Sequence, residues 1–323
     1  MEECYSLGFD LGGTQVRAAL AGKNSIIRRA AGATDIAGGP EGVVLQLSQL
    51  AKEVAPGIDF TAIKAVGIAA PGPLDTVSGI VDHIPTLPGW EQFPLKQRLS
   101  DLFNLPAIVE NDGIAAAYGE WKQGAGRGLD NLVFVTVSTG IGGGVVMDGR
   151  LLHGRRGLAA HVGHFRMAAA GPVCSCGRTG CFEAFAAGTA LGKRASEIAL
   201  GNTAGFLGKK ALTEKIQSRH VVAGAREMDP ECIALLKDEA WYLGVGFTNL
   251  IHLFSPERVI MGGGVSQAFD LLKDEIHAVI QKEAMGPFKQ VEVVAAELGD
   301  NAGLFGVASL AMAKADSRAG GTG

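Results

Sequence analysis

The residues whose types and spacing indicate chemistry most clearly are a histidine and three cysteines, His164, Cys174, Cys176 and Cys181. Three thiolates and one imidazole form a complete tetrahedral ligand set for Zn²⁺ and leave no position open for water. A closed site of this kind stabilises a loop and does not itself catalyse a reaction. The spacing therefore predicts a structural zinc ion. The alternative is three buried or disulfide-linked cysteines that are close in sequence only.

Three glycine-rich segments, each directly after a hydrophobic run, form the second pattern. They are Asp10 to Thr14 (DLGGT), Ser138 to Gly144 (STGIGGG) and Gly262 to Gly264. Glycines allow backbone N–H groups to approach a phosphate, and a carboxylate such as Asp10 can hold Mg²⁺ through water. The first two match neither the P-loop nor the Rossmann pattern. The three together predict nucleotide binding, whereas any one of them could be a plain hairpin turn.

Asn111-Asp112 is the candidate catalytic segment, because it follows a predicted strand at 107–110. A carboxylate at a strand end can accept the proton of a hydroxyl group that attacks a γ-phosphate. The alternative role for Asp112 is that of a helix N-cap, and the two roles are compatible.

The elements that must position these residues follow a repeated pattern. Strands predicted at 5–10 and 15–21 flank the first glycine turn, and strands at 132–138 and 145–147 flank the second. Helices are predicted at 42–54, 94–103, 114–121, 230–253, 267–284 and 304–313. The repeat predicts two related α/β domains around a cleft, with the glycine loops facing each other across it.

Composition narrows the class of protein. The 323 residues favour two domains, and 47% hydrophobic against 19% charged residues allow a large core. A net charge of −4 gives no electrostatic case for nucleic acid. No run reaches the roughly 18 apolar residues that span a bilayer, and Met1 precedes two glutamates instead of a signal sequence. We expect a cytoplasmic protein that binds neither nucleic acid nor membrane.

Taken together, the motifs resemble those of the ROK family of sugar kinases and sugar-sensing repressors, within the actin-like ATPase superfamily. The resemblance rests on the glycine segments, Pro71-Gly72-Pro73, Glu110-Asn111-Asp112, His164 and the CxCGxxGCxE pattern from Cys174 to Glu183. It implies two actin-like (ribonuclease H-like) α/β domains around a central cleft, with a zinc-stapled loop. The boundaries are residues 1–118 with 304–323 for the smaller domain and 119–303 for the larger one.

The resemblance also implies a role for each matching residue. Asp112 is the expected general base toward the sugar 6-hydroxyl. The residues expected to bind ATP–Mg²⁺ are Asp10, Gly12, Gly13, Thr14, Thr139, Gly140 and Gly263. Those expected to bind the sugar are Gly72, Asn111, Asp112, His161, His164 and Glu183. His164 would use one ring nitrogen for zinc and the other for the sugar, and the family's habit is a homodimer or homotetramer.

One departure from the family pattern concerns the substrate. The usual Glu-x-Gly-His segment reads His161-Val162-Gly163-His164 here. A carboxylate accepts two hydroxyl hydrogens, whereas a neutral imidazole offers one donor and one acceptor. We therefore expect ATP-dependent 6-phosphorylation of a hexose or N-acetylhexosamine, with N-acetylmannosamine favoured. A kinase for glucose, fructose, mannose or N-acetylglucosamine stays open, and His161 could instead be a packing residue.

Two functions of another class are weighed against a kinase. A sugar-sensing repressor of this family carries an N-terminal helix-turn-helix domain, and we do not expect one here because the first predicted strand begins close to Met1. A non-catalytic sugar sensor is the second, although Asp10, Asp112 and all three glycine segments are present.

Overall fold

Two five-stranded mixed sheets with the same order of strand directions form the framework of the computed structural model, which describes residues 4–84 and 86–319. The strands are β1 (Tyr5–Leu11), β2 (Gln15–Ala21), β3 (Ile26–Ala33), β4 (Ile63–Ala70), β5 (Leu74–Asp75), β6 (Ile80–Val81), β7 (Ala107–Asn111), β8 (Leu132–Val137), β9 (Ile141–Met147), β10 (Arg150–Leu151), β11 (Arg258–Gly262) and β12 (Glu292–Ala295). The helices are α1 (Gly39–Val54), α2 (Leu95–Phe103), α3 (Asp112–Gln123), α4 (Phe182–Ala186), α5 (Gly188–Gly201), α6 (Phe206–Ala211), α7 (Ser218–Arg226), α8 (Pro230–Phe254), α9 (Phe269–Glu283) and α10 (Ala302–Ala319).

The first sheet has the order β3-β2-β1-β4-β7, and the second has the order β10-β9-β8-β11-β12. In each sheet three strands form an antiparallel meander, and two further strands continue parallel to the first strand of that meander. The small β5–β6 ladder is separate. The predicted repeat of two related α/β units is confirmed by this shared topology.

Hydrophobic patterning explains how helices cover the first sheet. Every residue of β1 is buried, as expected for a strand covered on both faces. The buried positions of α1 recur at helical spacing, at Val43, Leu47, Leu50 and Val54, so one face of the helix packs on the sheet. This arrangement fixes the carboxyl ends of β1, β4 and β7 at one edge.

Helix α3 joins the two sheets. Its residues Ala115 and Tyr118 pack in a cluster with α10 and the first sheet. Its residues Ala116 and Ala117 pack in a second cluster with β8, β9 and β11. Because α3 runs unbroken from Asp112 to Gln123, it crosses the predicted domain boundary after residue 118. That domain boundary stays a prediction. Residues 1–3 and 320–323, which the prediction assigns to the smaller domain, lie outside the described residues.

One sequence expectation about secondary structure is wrong. The segment 141–144, expected as a glycine loop, is the first part of strand β9. The region between residues 188 and 226, for which there was no prediction from the sequence, contains three helices, α5, α6 and α7. Within the described ranges, no helix is both long and apolar enough to span a lipid bilayer.

Candidate active site and metal-binding cluster

Hydrogen bonds with Gln15 and Thr34 fix the glycine turn between β1 and β2. The Gly12 N–H donates to the Gln15 carbonyl at 3.0 Å, and the Thr34 hydroxyl donates to the Gly12 carbonyl at 2.8 Å. The backbone N–H of Thr34 donates to the Thr14 carbonyl at 3.0 Å. These contacts fix Gly12, Gly13 and Thr14, the predicted phosphate-binding residues, at the carboxyl end of β1.

Asp10, the residue expected to hold Mg²⁺, faces Arg17 across the β1–β2 ladder. A guanidinium nitrogen of Arg17 donates to the Asp10 carboxylate, and the other donates to the carbonyl of Asp300 at 2.9 Å. Burial raises the pKa of Asp10, although Arg17 opposes that shift. Sequence reasoning missed Arg17, although the register of a predicted β1–β2 hairpin places it opposite Asp10.

Asp112 is the first residue of α3, and its neighbour Asn111 caps the helix. The side-chain oxygen of Asn111 accepts hydrogen bonds from the N–H groups of Gly113 at 3.0 Å and Ile114 at 3.4 Å. The cap role considered for Asp112 is therefore taken by Asn111. The carboxylate of Asp112 accepts the N–H of Gly113 at 2.8 Å and a hydrogen bond from the Asn111 side chain, and the residue as a whole is exposed.

The electrostatic environment of Asp112 suits a proton acceptor. Although the residue is exposed, surrounding protein desolvates the carboxylate and raises its pKa to about 6, and the charge of Asp10 adds to this shift. A Cβ placed on Gly303 would lie 3.9 Å from an oxygen of Asp10 and 3.9 Å from the carbonyl of Asp112. The ends of β1, α3 and α10 therefore meet around the two carboxylates.

Four of the predicted sugar-binding residues come together in a group that includes Asn111, the neighbour of Asp112. A Cβ placed on Gly72 would lie 3.6 Å from the amide nitrogen of Asn111 and 4.0 Å from the ring of His161. The ring of His161 stacks near that of His164, with centroids 6.3 Å apart. Gly72 and Asn111 belong to the first sheet and its loops, whereas both histidines follow the second sheet, so this group lies between the two.

Two further side-chain contacts, to which the sequence analysis gave no role, join the part of the chain that forms the first sheet to the segment after β10. The buried Glu110 accepts from the Asn111 N–H at 3.0 Å, and its other oxygen lies 2.9 Å from His153 Nε2. Arg156 Nε donates to Asp75 at 2.7 Å and holds the pKa of that carboxyl down at about 2. The only sequence signal was the place of Glu110 directly before Asn111.

The four predicted metal ligands, His164, Cys174, Cys176 and Cys181, form one cluster, with all ligand atoms within 4.8 Å of one another. In a tetrahedral zinc site two sulfurs are about 3.8 Å apart, and a sulfur and a nitrogen about 3.6 Å apart. The Cys176 and Cys181 sulfurs are 3.7 Å apart, and Cys174 Sγ lies 3.6 Å from His164 Nδ1. The donor set and its spacing therefore fit zinc.

Thiol acidity differs within the cluster. The backbone N–H of Arg178 lowers the pKa of Cys176 to about 6, whereas burial raises the pKa of Cys174 to about 12. Because Nδ1 of His164 faces Cys174, its Nε2 is left for a second contact.

Glu183 links this cluster to the second glycine turn. One carboxylate oxygen accepts from the Ile141 N–H at 3.0 Å, and the other accepts from the Ser175 hydroxyl at 2.7 Å and faces Cys174 Sγ at 3.4 Å. A Cβ on Gly140 would lie 2.5 Å from the first oxygen. The contacts of Glu183 are thus with the protein, between the turn and the cysteine loop.

A cavity of about 620 Å³ opens beside Thr139 and Gly264. The N-terminal part of α5 and the segment before α7 line its other walls. Gly263 has a φ of +85°, and a Cβ there would lie 2.5 Å from the carbonyl of Val137, so this turn requires glycine. Lys193, Lys215 and Gln217, which also line the cavity, were missed because nothing in their spacing forms a motif.

The model of the ROK family matches residues 6–314 of the chain. The chain belongs to the ROK family. This membership confirms the resemblance drawn from the motifs, together with the predicted pair of actin-like α/β domains.

Similar proteins match over nearly the whole chain. A glucokinase of Thermotoga maritima is 35% identical over 96% of this chain and 98% of its own length. An N-acetylmannosamine kinase of Citrobacter koseri is 34% identical over 95% of this chain and 98% of its own length. A crystal structure of a ROK family glucokinase from Streptomyces griseus, in complex with glucose and AMPPNP, has a TM-score of 0.82 at 34% identity and covers 96% of this chain and 99% of that one.

Proposed function

We propose that the protein transfers the γ-phosphoryl group of ATP to the 6-hydroxyl of a hexose or N-acetylhexosamine, with N-acetylmannosamine favoured. The chain is an ATP-dependent sugar kinase of the ROK family, on the strength of its family and of kinase relatives matched end to end. The position of attack, the sugar and the residue roles are the proposal.

The observation that carries the proposal is the carboxylate of Asp112 at the start of α3, beside Asp10. Asn111 is the N-cap of α3, so the helix does not depend on Asp112 for that role, and the Asp112 residue is exposed. Its raised pKa of about 6 lies near neutral pH, where a general base works best. In the mechanism Asp112 accepts the proton of the sugar hydroxyl as that oxygen attacks the γ-phosphorus.

The three glycine segments would supply the phosphate end of the site. Their backbone N–H groups would orient the nucleotide phosphates, from Gly12, Gly13 and Thr14 in the first segment, Thr139 and Gly140 in the second and Gly263 in the third. Mg²⁺ bound with the nucleotide neutralises phosphate charge, and Asp10 would hold it through water. The cavity beside Thr139 and Gly264 has room for the nucleoside.

Beside Asp112, the sugar end would be formed by Gly72, Asn111, His161, His164 and Glu183. His161 is exposed and lies beside Gly72 and Asn111, where a sugar ring could contact it. An imidazole at this position offers one donor and one acceptor in place of two acceptors. That difference favours a 2-acetamido sugar. Glucose is the second candidate, supported by the likeness to the glucokinase structure that holds glucose.

We propose zinc as the ion of the four-ligand cluster, with a structural role. It would hold the cysteine loop, and through the Glu183 contacts the second glycine turn as well. Thiolate ligands need a reducing compartment, in keeping with a cytoplasmic location. Elemental analysis of the purified protein should give one zinc per chain, and metal-free active protein would refute the assignment.

The test of the function is a coupled ADP-release assay with Mg–ATP against N-acetylmannosamine, N-acetylglucosamine, glucose, mannose and fructose. The highest kcat/KM is expected for N-acetylmannosamine. A preference for glucose would show that His161 does not select the substrate, and no turnover with any of the five would refute the proposed substrate class. Light scattering on the same sample tests the predicted dimer or tetramer.

A further inference from the structure

Glu110 is a fully buried carboxylate at the end of β7, directly before the two residues placed at the centre of the site. One of its oxygens accepts the N–H of Asn111 at 3.0 Å. The other faces Nε2 of His153 at 2.9 Å, and the side chain of Glu110 has no exposed surface. The contact joins β7 of the first sheet to the segment that follows β10 of the second.

His153 also makes a backbone hydrogen bond that closes the segment leading to His161. Its backbone carbonyl accepts the N–H of Ala159 at 3.1 Å, which lies two residues before His161. The segment from His153 to His161 includes two non-glycine residues of positive φ, Arg156 at +62° and Ala160 at +61°. Such conformations are uncommon for these residues and persist only where surrounding contacts hold them.

We infer that Glu110 and His153 are positioning residues that hold segment 153–161, and with it His161, over Asn111 and Asp112. The inference rests on the proposed function of the site and adds to it a fixed contact between the two halves of the sugar pocket. Neither Glu110 nor His153 touches the reacting atoms. They act through Asn111, whose N–H Glu110 accepts, and through the segment that carries His161.

Burial explains why the Glu110–His153 contact should hold the segment more strongly than the Arg156–Asp75 ion pair does. A buried carboxylate that loses a hydrogen-bond partner is strongly disfavoured. Displacement of segment 153–161 would remove His153 from Glu110, so it carries this cost. The Arg156–Asp75 pair is more exposed on the arginine side, with 56% of that side chain accessible, and ion pairs in contact with water contribute little. The Glu110–His153 contact is therefore the one to remove.

The test compares His153→Leu with His153→Gln. Glutamine keeps an N–H donor at the place of Nε2, whereas leucine removes it at similar size. For His153→Leu we expect kcat/KM for the sugar to fall about 10- to 100-fold through misplacement of His161, with KM for ATP unchanged. We also expect more than one ADP per sugar phosphate, because water enters an imperfectly closed site. His153→Gln should stay close to the wild type.

The matched control is His252→Leu. The ring of His252 likewise makes a hydrogen bond to a distant segment, although here Nε2 accepts, from the Met285 N–H at 3.1 Å, and the residue lies in the last turn of α8 outside the site. It should leave sugar kinetics and the ADP-to-product ratio unchanged. Wild-type sugar kinetics in His153→Leu, equal losses in His153→Gln, or equal losses in His252→Leu would each overturn the inference.

A second readout does not need sugar turnover, so it separates this inference from the proposed function. Arg155 and Arg156 are exposed within the segment, and trypsin cleaves after arginine where the backbone can open. Cleavage there, located by mass spectrometry, should be several times faster in His153→Leu than in the wild type and His153→Gln. Equal cleavage rates in all three proteins would refute the positioning role even if no sugar tested is phosphorylated.

Discussion

The β1–β2 and β8–β9 hairpins occupy corresponding places in the two sheets, yet they contribute different chemistry. The penultimate residue of the first strand is Asp10 in one and Thr136 in the other. Their cross-strand partners are Arg17 and Gly142. The first hairpin therefore brings a pair of opposite charges to the cleft, and the second brings none at this position.

In the second hairpin, glycines without side chains allow helix α3 to approach the strand closely. A Cβ on Gly143 would lie 2.4 Å from the carbonyl of Phe134, and one on Gly144 would lie 2.5 Å from Cβ of Ala117 in α3. A Cβ on Gly113 would lie 2.6 Å from the carbonyl of Gly143. Backbone thus meets backbone where α3 begins, which places Asp112 against the second hairpin. Close packing thus accounts for Gly143 and Gly144, whereas phosphate binding is the role proposed for the turns at 12–14 and 139–140.

The largest effect expected from this comparison is that of Gly143→Ala on stability. Its new Cβ meets a backbone oxygen that cannot move away, so the free energy of unfolding should fall by about 3 kcal/mol. Gly142→Ala is the matched control, because its Cβ meets only Cγ2 of Thr136 at 3.3 Å, and it should cost less than about 1 kcal/mol. Guanidinium unfolding of the metal-loaded protein measures both. Equal costs would mean that close packing does not explain the glycine run.

Asp10→Asn tests the other half of the comparison, with a smaller expected effect. If Asp10 holds Mg²⁺ through water as proposed, its removal should raise the Mg²⁺ concentration for half-maximal rate about 10- to 100-fold. Thr136→Val changes the corresponding position of the second hairpin and should leave the Mg²⁺ requirement unchanged. The measurement is the initial rate against free Mg²⁺ at saturating sugar. Equal shifts in the two variants would remove the distinction between the hairpins.

The strands and long helices of the fold could be predicted because their hydrophobic periods are regular. The N-terminal part of β9 could not, since Ile141 to Gly144 has a single side chain larger than hydrogen and therefore no alternation to detect. Helix α5 carries three glycines among its 14 residues, and its packing against neighbouring elements stabilises it more than propensity does.

The metal-binding part of the site was predictable because closely spaced cysteines with a nearby histidine are typical of metal binding. The cysteine spacing placed four ligand atoms in one cluster, as the structure has them. That Asn111 and not Asp112 is the N-cap of α3 was not predictable, because both residue types cap helices well. His153 was missed because its contact with Glu110 depends on how the two sheets face each other, and no local pattern encodes that.

The central claim is that Asp112 accepts the proton of the sugar hydroxyl, and the most direct measurement is kcat against pH for the wild type and Asp112→Asn. The base works only when deprotonated, so activity is present above its pKa and lost as the pH falls. With a pKa of about 6, wild-type kcat should drop about tenfold from pH 7 to pH 5. Asp112→Asn should bind sugar but lose about 10²- to 10⁴-fold in kcat. Near-normal turnover of Asp112→Asn, or a wild-type profile that is flat over this range, would contradict the account.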